Sequence, residues 1–200
     1  MEDFGTGRLE AFSDGVFAIA TTLLILEIHV PSGTAPLGDQ LLHIWPSYLA
    51  YVTSFLSIGV MWINHHAIFA RLARSDHNLL FLNMLLLLVV AFIPFPTRLV
   101  AEHLRGGGGG ERTAALCYGL TGIALAIVFR ALWQYVAGGR RLIRDDVPQE
   151  AVDDITRTFA PGLPLYGGAT LVALVSPLAS VALFLALAVF YGIPPSILRR

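Results

Sequence analysis

The sequence contains no lysine; its thirteen basic side chains are all arginine, set against fourteen carboxylates. The formal net charge of −1 offers no basic surplus to a polyanion, and no nucleic-acid partner is expected. Charge of either sign is scarce, at 14% of residues, too scarce for an ordinary soluble domain. A single cysteine, Cys117, excludes an internal disulfide and leaves the redox compartment unread. The residues before the first apolar run are acidic and lack a small-residue cleavage pattern, so no cleavable signal peptide is expected. GxSxG, P-loop, HExxH and clustered Cys/His patterns are all missing. The expectation is therefore a protein that is not an enzyme, with no cofactor and no fixed structural metal.

Apolar sequence is what the chain has in abundance, at 56%. Runs of about 20 apolar residues recur, each long enough to cross a hydrocarbon core of roughly 30 Å. The chain reads as one all-α membrane domain over 1–200 with six transmembrane helices, at about 9–29, 45–70, 79–100, 114–136, 158–176 and 177–193. Pro31 stops the first. Pro177 divides a long apolar stretch into the fifth and sixth. With the N-terminus cytoplasmic, inner segments hold nine arginines (8, 71, 74, 140, 141, 144, 157, 199, 200) and outer segments three (98, 105, 112), with Arg130 intramembrane. That asymmetry obeys the positive-inside rule and places both termini in the cytoplasm. The glycine run 106–110 reads as a flexible outer loop, and the mixed-charge stretch 138–157 as a solvated connector.

The first helix poses the functional question. Spacing at 100° per residue puts Phe12, Ile19, Leu23, Leu26 and Val30 on one narrow stripe with Thr22 at its edge. Asp14 falls about 140° from Ile19. An intramembrane carboxylate needs protein or water around it, so Asp14 is expected to face neighbouring helices. The stripe fits lipid contact or core packing as well as anything more specific. In the second helix Trp62, His65, His66 and Phe69 follow i, i+3, i+4, i+7 spacing. The indole and imidazole N–H groups among them can donate to a carboxylate or hydroxyl. Adjacent histidines diverge by about 100° and make a poor metal pair. Asn64, Asn78 and Asn83 read as interhelical hydrogen-bond groups. Arg130 can snorkel to the interface or pair with Asp14 or Glu10. Glu27 can attract cations at an outer mouth or pair between helices.

Arg8-x-x-x-Phe12-Ser13-Asp14, followed by "GVFAIATTLLILEIHVP" and by "WINHH" in the second helix, resembles the transmembrane protein 175 family of endosomal and lysosomal potassium channels and their prokaryotic relatives. The resemblance implies a potassium-permeable channel without a TVGYG filter, and none occurs here. It implies first helices around a central pore whose constriction is made by aliphatic rings. The isoleucine five positions after the motif's aspartate is Ile19; further rings fall on Leu23 and Leu26, and the threonine associated with potassium preference on Thr22. Arg8, Phe12, Ser13, Asp14, Trp62, His65 and His66 would form the structural motif and interhelical network. With one six-span unit per chain, the resemblance implies a homotetramer in a prokaryotic plasma membrane, with K+ as the transient permeant ion and lipid as its surroundings. A secondary transporter, with Pro94 and Pro96 marking a broken helix, is the alternative, and an embedded enzyme using His65, His66 and Asp14 a weaker one.

Overall fold

The computed structural model describes residues 6–105 and 109–193. The glycines at 106–108 and Arg199 and Arg200, used above for the loop and the orientation, lie outside the described residues. The described residues are helical, with one isolated antiparallel bridge between Leu72 and Ile143.

Helix α1 spans Thr6–Leu23 and tightens into a 3-10 turn over Leu24–Glu27. Ser13, Phe17, Ala20 and Leu24 are buried, and their spacing of four, three and four marks a single helical face. The backbone becomes extended at Ile28, so Val30 lies past the helix rather than on its stripe. After a short helix α2 (Leu37–His43), α3 runs over Trp45–Phe69, with Pro46 in its first turn where no intrahelical N–H is needed. The sequence predicts one helix over 79–100; the structure has α4 (His77–Phe92) and α5 (Pro94–His103) meeting at Ile93. Pro94 and Pro96 lack the N–H groups that would carry the ladder through the junction. Helix α6 spans Gly110–Ala137.

Asp76 caps α4 by accepting from the Leu79 N–H at 2.9 Å, and Tyr135 of α6 donates to its other carboxylate oxygen. Burial raises this carboxyl, but the Tyr135 and Leu79 hydrogen bonds outweigh it and hold the group below its ordinary value.

The connector expected to be solvated is partly core. Leu142, Ile143 and Val147 are buried. Gly139 and Arg140 take positive φ (66° and 56°), which reverses the chain. The connector then docks on the α3–α4 loop: the Ala73 N–H donates to Leu142 O at 2.8 Å and the Arg144 N–H to Arg71 O at 3.0 Å. Guanidinium groups on both sides donate to backbone carbonyls: Arg140 and Arg144 of the connector to Val147 and Ala70, and Arg74 of the α3–α4 loop to Arg141.

Beyond it, α7 (Gln149–Phe159) is amphipathic, with Val152 buried and Phe159 set edge-on to Phe129 at 5.1 Å. The chain breaks at Ala160–Pro161 before α8 (Gly162–Val172), and α9 (Pro177–Gly192) starts from Ser176, whose hydroxyl accepts from the Ala179 N–H. The fifth predicted span thus starts at Gly162 rather than near 158, because the acidic turns before it fold separately as α7. Helices α8 and α9 have 11 and 16 residues. At 1.5 Å per residue they reach about 16 and 24 Å, less than a full hydrocarbon core. Among the described residues four helical stretches are long and apolar enough to cross a membrane: Thr6–Glu27, Trp45–Phe69, His77–His103 and Gly110–Arg140.

Helix α3 packs against α1, α5 and α9, and α6 against α4, α5, α8 and α9. The Ser54 hydroxyl bridges Thr97 (2.7 Å) and Tyr118 (3.1 Å), tying α3, α5 and α6. At Gly119 an added Cβ would lie 2.5 Å from Thr170 Oγ1, so glycine is what lets α6 and α8 approach.

Candidate ion pathway

Helix α1 presents two unlike faces. Ser13 on the buried face donates to Leu9 O at 2.8 Å and accepts from Asn83 Nδ2 at 2.9 Å. Asn83 Oδ1 in turn pairs with His65 Nε2 at 2.9 Å. An amide oxygen only accepts, so this arrangement makes Nε2 the protonated nitrogen of His65. The imidazole stacks on Phe69 (centroids 4.0 Å apart) and tilts against Phe17 (5.4 Å). Ser13, Asn83 and His65 are all buried, and their hydrogen bonds join α1, α4 and α3. Such groups would be costly if left unpaired in hydrocarbon.

Asp14 lies next to this network but outside it. It is exposed in the single subunit, and its Oδ1 accepts from Trp62 Nε1 at 2.8 Å. His66 stacks on the same indole at 6.1 Å. The predicted face of the second helix therefore splits. His65 and Phe69 turn into the bundle, while Trp62 and His66 stay at its surface beside Asp14. Arg8 and Phe12 are exposed, and Arg8 has no hydrogen-bond or ion-pair partner among the described residues. Among those residues no group of three or more His, Cys, Asp or Glu is placed to hold a metal ion.

The opposite face of α1 is apolar and uncovered. Ile19 is 61%, Leu23 42% and Leu26 67% exposed, and Phe12 shares that exposure. Thr22 is also exposed; its hydroxyl donates back to the carbonyls of Ala18 and Ile19, both at 3.0 Å. With its proton turned to the backbone, the hydroxyl offers oxygen lone pairs outward, the electrostatics a cation requires. Phe17 is buried on the far side.

Glu27 ends the 3-10 turn and lies 3.9 Å from Arg98 Nε of α5, which donates more closely to Glu102 at 2.8 Å. Sequence reasoning left Glu27 without a named partner. The available signal was an arginine at the outer end of the third predicted span, level with the outer end of the first. Arg130 pairs with neither Asp14 nor Glu10 and is exposed on α6.

Residues 8–94 match the family model described as the endosomal/lysosomal potassium channel TMEM175. A potassium channel of Chamaesiphon minutus is 46% identical over 196 residues, covering 96% of each chain. A potassium channel of Streptomyces collinus is 46% identical over 193 residues, covering 94% of this chain and 91% of that one. The crystal structure of a lysosomal potassium-selective channel TMEM175 homologue from Chamaesiphon minutus superposes with a TM-score of 0.84 at 47% identity, over 93% of this chain and 95% of that one. The apolar spans, the Ser13–Asn83–His65 arrangement within the matched region and these near full-length likenesses converge: the chain is an integral membrane protein and belongs to the TMEM175 family, alongside its bacterial members.

Proposed function

We propose that this chain forms a potassium-preferring cation channel, assembled as a homotetramer in a prokaryotic plasma membrane with both termini cytoplasmic. The observation that carries this reading is the division of α1 into a polar-anchored buried face and an exposed aliphatic face. The potassium-channel relatives support the ion, and the excess of arginine in the predicted inner segments supports the orientation. Four copies of α1 around an axis would direct four Ile19, four Leu23 and four Leu26 side chains at the ion path. Aliphatic rings of that kind make a throat that closes by dewetting. Potassium sheds water more readily than the smaller sodium ion, so a tight apolar ring favours it without a coordinating cage. Thr22 hydroxyl oxygens add weak coordination to a partly dehydrated ion. Neither a cofactor nor a resident metal takes part. Asp14 and Trp62 hold the inner part of α1 against α3 and stay off the permeation path.

The test is single-channel recording of purified protein in planar bilayers under opposed potassium, sodium and proton gradients, with the assembly mass measured in parallel. A tetramer whose reversal potential follows potassium is expected. Ile19→Asn replaces an apolar ring with four amides, which hydrate an ion where isoleucine cannot. Its unitary current should rise and its potassium preference fall. Unchanged current and reversal potential in Ile19→Asn, with both shifted by Phe17→Leu, would mean that the other face of α1 lines the path.

A further inference from the structure

Arg130 carries a positive charge on a membrane-spanning helix, seven residues before α6 ends at Ala137. That places it about 10 Å of helix rise from the end. A guanidinium at such depth is costly unless a counter-charge or water reaches it. It has no hydrogen-bond or ion-pair partner among the described residues. It lines a half-open cavity of about 50 Å³ between α3, α6, α9 and the α7–α8 break. The polar lining includes Asn64, Thr158 and Tyr191, and no carboxylate is among the described lining residues. Tyr191 Oη is buried and has no hydrogen-bond partner among the described residues. A buried hydroxyl in that condition carries the full desolvation cost of an unused donor.

Guanidinium and phenol both donate, so one ligand that satisfies both must accept, and the charge of Arg130 makes it an anion. The remaining walls, such as Phe129 and Leu163, are apolar and suit an amphiphile rather than a free ion. We propose that this cavity binds the phosphate of an anionic phospholipid, drawn from the leaflet beside the α6–α7 connector. The phosphate pairs with Arg130 and accepts from Tyr191, and its acyl chains lie along the apolar surface of α6. Entry is through the break between α7 and α8, where Gly162 lines the cavity and an added Cβ would meet nothing within 4 Å.

Native mass spectrometry of the full-length protein, extracted from vesicles of phosphatidylcholine alone or mixed with phosphatidylglycerol, tests this directly. The wild type should retain phosphatidylglycerol in preference to phosphatidylcholine. Arg130→Gln should lower that retention about tenfold, the effect of one charge-assisted hydrogen bond, and Arg130→Lys should restore part of it. Gly162→Leu, which obstructs the mouth where the structure has room, should lower it in a protein that stays folded. Equal retention of both lipids by the wild type, or equal phosphatidylglycerol retention by all variants, would overturn the proposal. So would a thermal shift from inorganic phosphate alone that Arg130→Gln removes while lipid retention is unaffected, since the cavity would then hold a free anion.

Discussion

The two faces of α1 are built on different physics. The inward face uses few polar atoms, each with an assigned partner: Ser13 between Leu9 and Asn83, and Asn83 between Ser13 and His65. The Asn83-to-Ser13 bond crosses to α1 and fixes its rotation, because turning the helix in hydrocarbon would strand both groups. The outward face has no such constraint. Ile19, Leu23 and Leu26 form no directional bonds, so their identity can change with little effect on where the helix sits. One face sets position; the other is the face proposed to line the ion path.

Mutating the inward face should therefore cost stability, and mutating the outward face should change conduction. The largest stability loss is expected for Phe17→Ala, which empties a site packed against His65. About 3 kcal/mol is reasonable, toward the low end for such a truncation because lipid already solvates the ring in the unfolded reference. Thermal unfolding in detergent, followed by the loss of the assembled species, reads it. Asn83→Leu removes two interhelical hydrogen bonds and should cost about 1.5 kcal/mol while leaving ion preference alone. A selectivity change with normal assembly in that variant would dissolve the division between the faces.

Asp76→Ala, at the foot of the helix that carries Asn83, should cost about 1 kcal/mol through the lost cap. Because the folded Asp76 carboxyl lies below its ordinary value, its contribution is present above that ordinary value and is lost as pH falls through the folded one. An acid-unfolding curve on which wild type and Asp76→Ala converge at low pH checks the sign. Ile19→Asn should have the smallest effect on stability and a large one on unitary current.

Much of this arrangement was legible in the sequence. The 100° spacing alone puts Ile19, Leu23 and Leu26 together and Asp14 away from them. It failed at Val30, because a 3-10 turn and an extended Ile28 intervene and neither announces itself in an apolar run. Prolines marked the α4–α5 junction and the start of α9. The connector at 138–147 was opaque because burial of Leu142 and Ile143 depends on a partner loop about seventy residues earlier, and local composition carries no trace of such non-local pairing. The pairing of Glu27 with Arg98 also joins distant stretches, and its one trace is an arginine at the end of the third predicted span. Charge pattern predicted that Asp14 would need a partner, but not that one indole would suffice at an exposed position.

The unequal mounting of α1 has a mechanical corollary. Its N-terminal half is pinned at Ser13 by a directional buried hydrogen bond to Asn83, whereas its C-terminal end is held by the non-directional packing of Leu24 and by a partly exposed 3.9 Å ion pair between Glu27 and Arg98, an interaction worth little in water. A helix fixed at one end moves as a lever. Along the axis, Leu26 lies about 20 Å from Ser13 and Ile19 about 9 Å. Any tilt about that fulcrum displaces Leu26 roughly twice as far as Ile19. In a tetramer the outer ring would widen first and the Ile19 ring last, an order that spin-label distances at positions 19 and 26 would reveal.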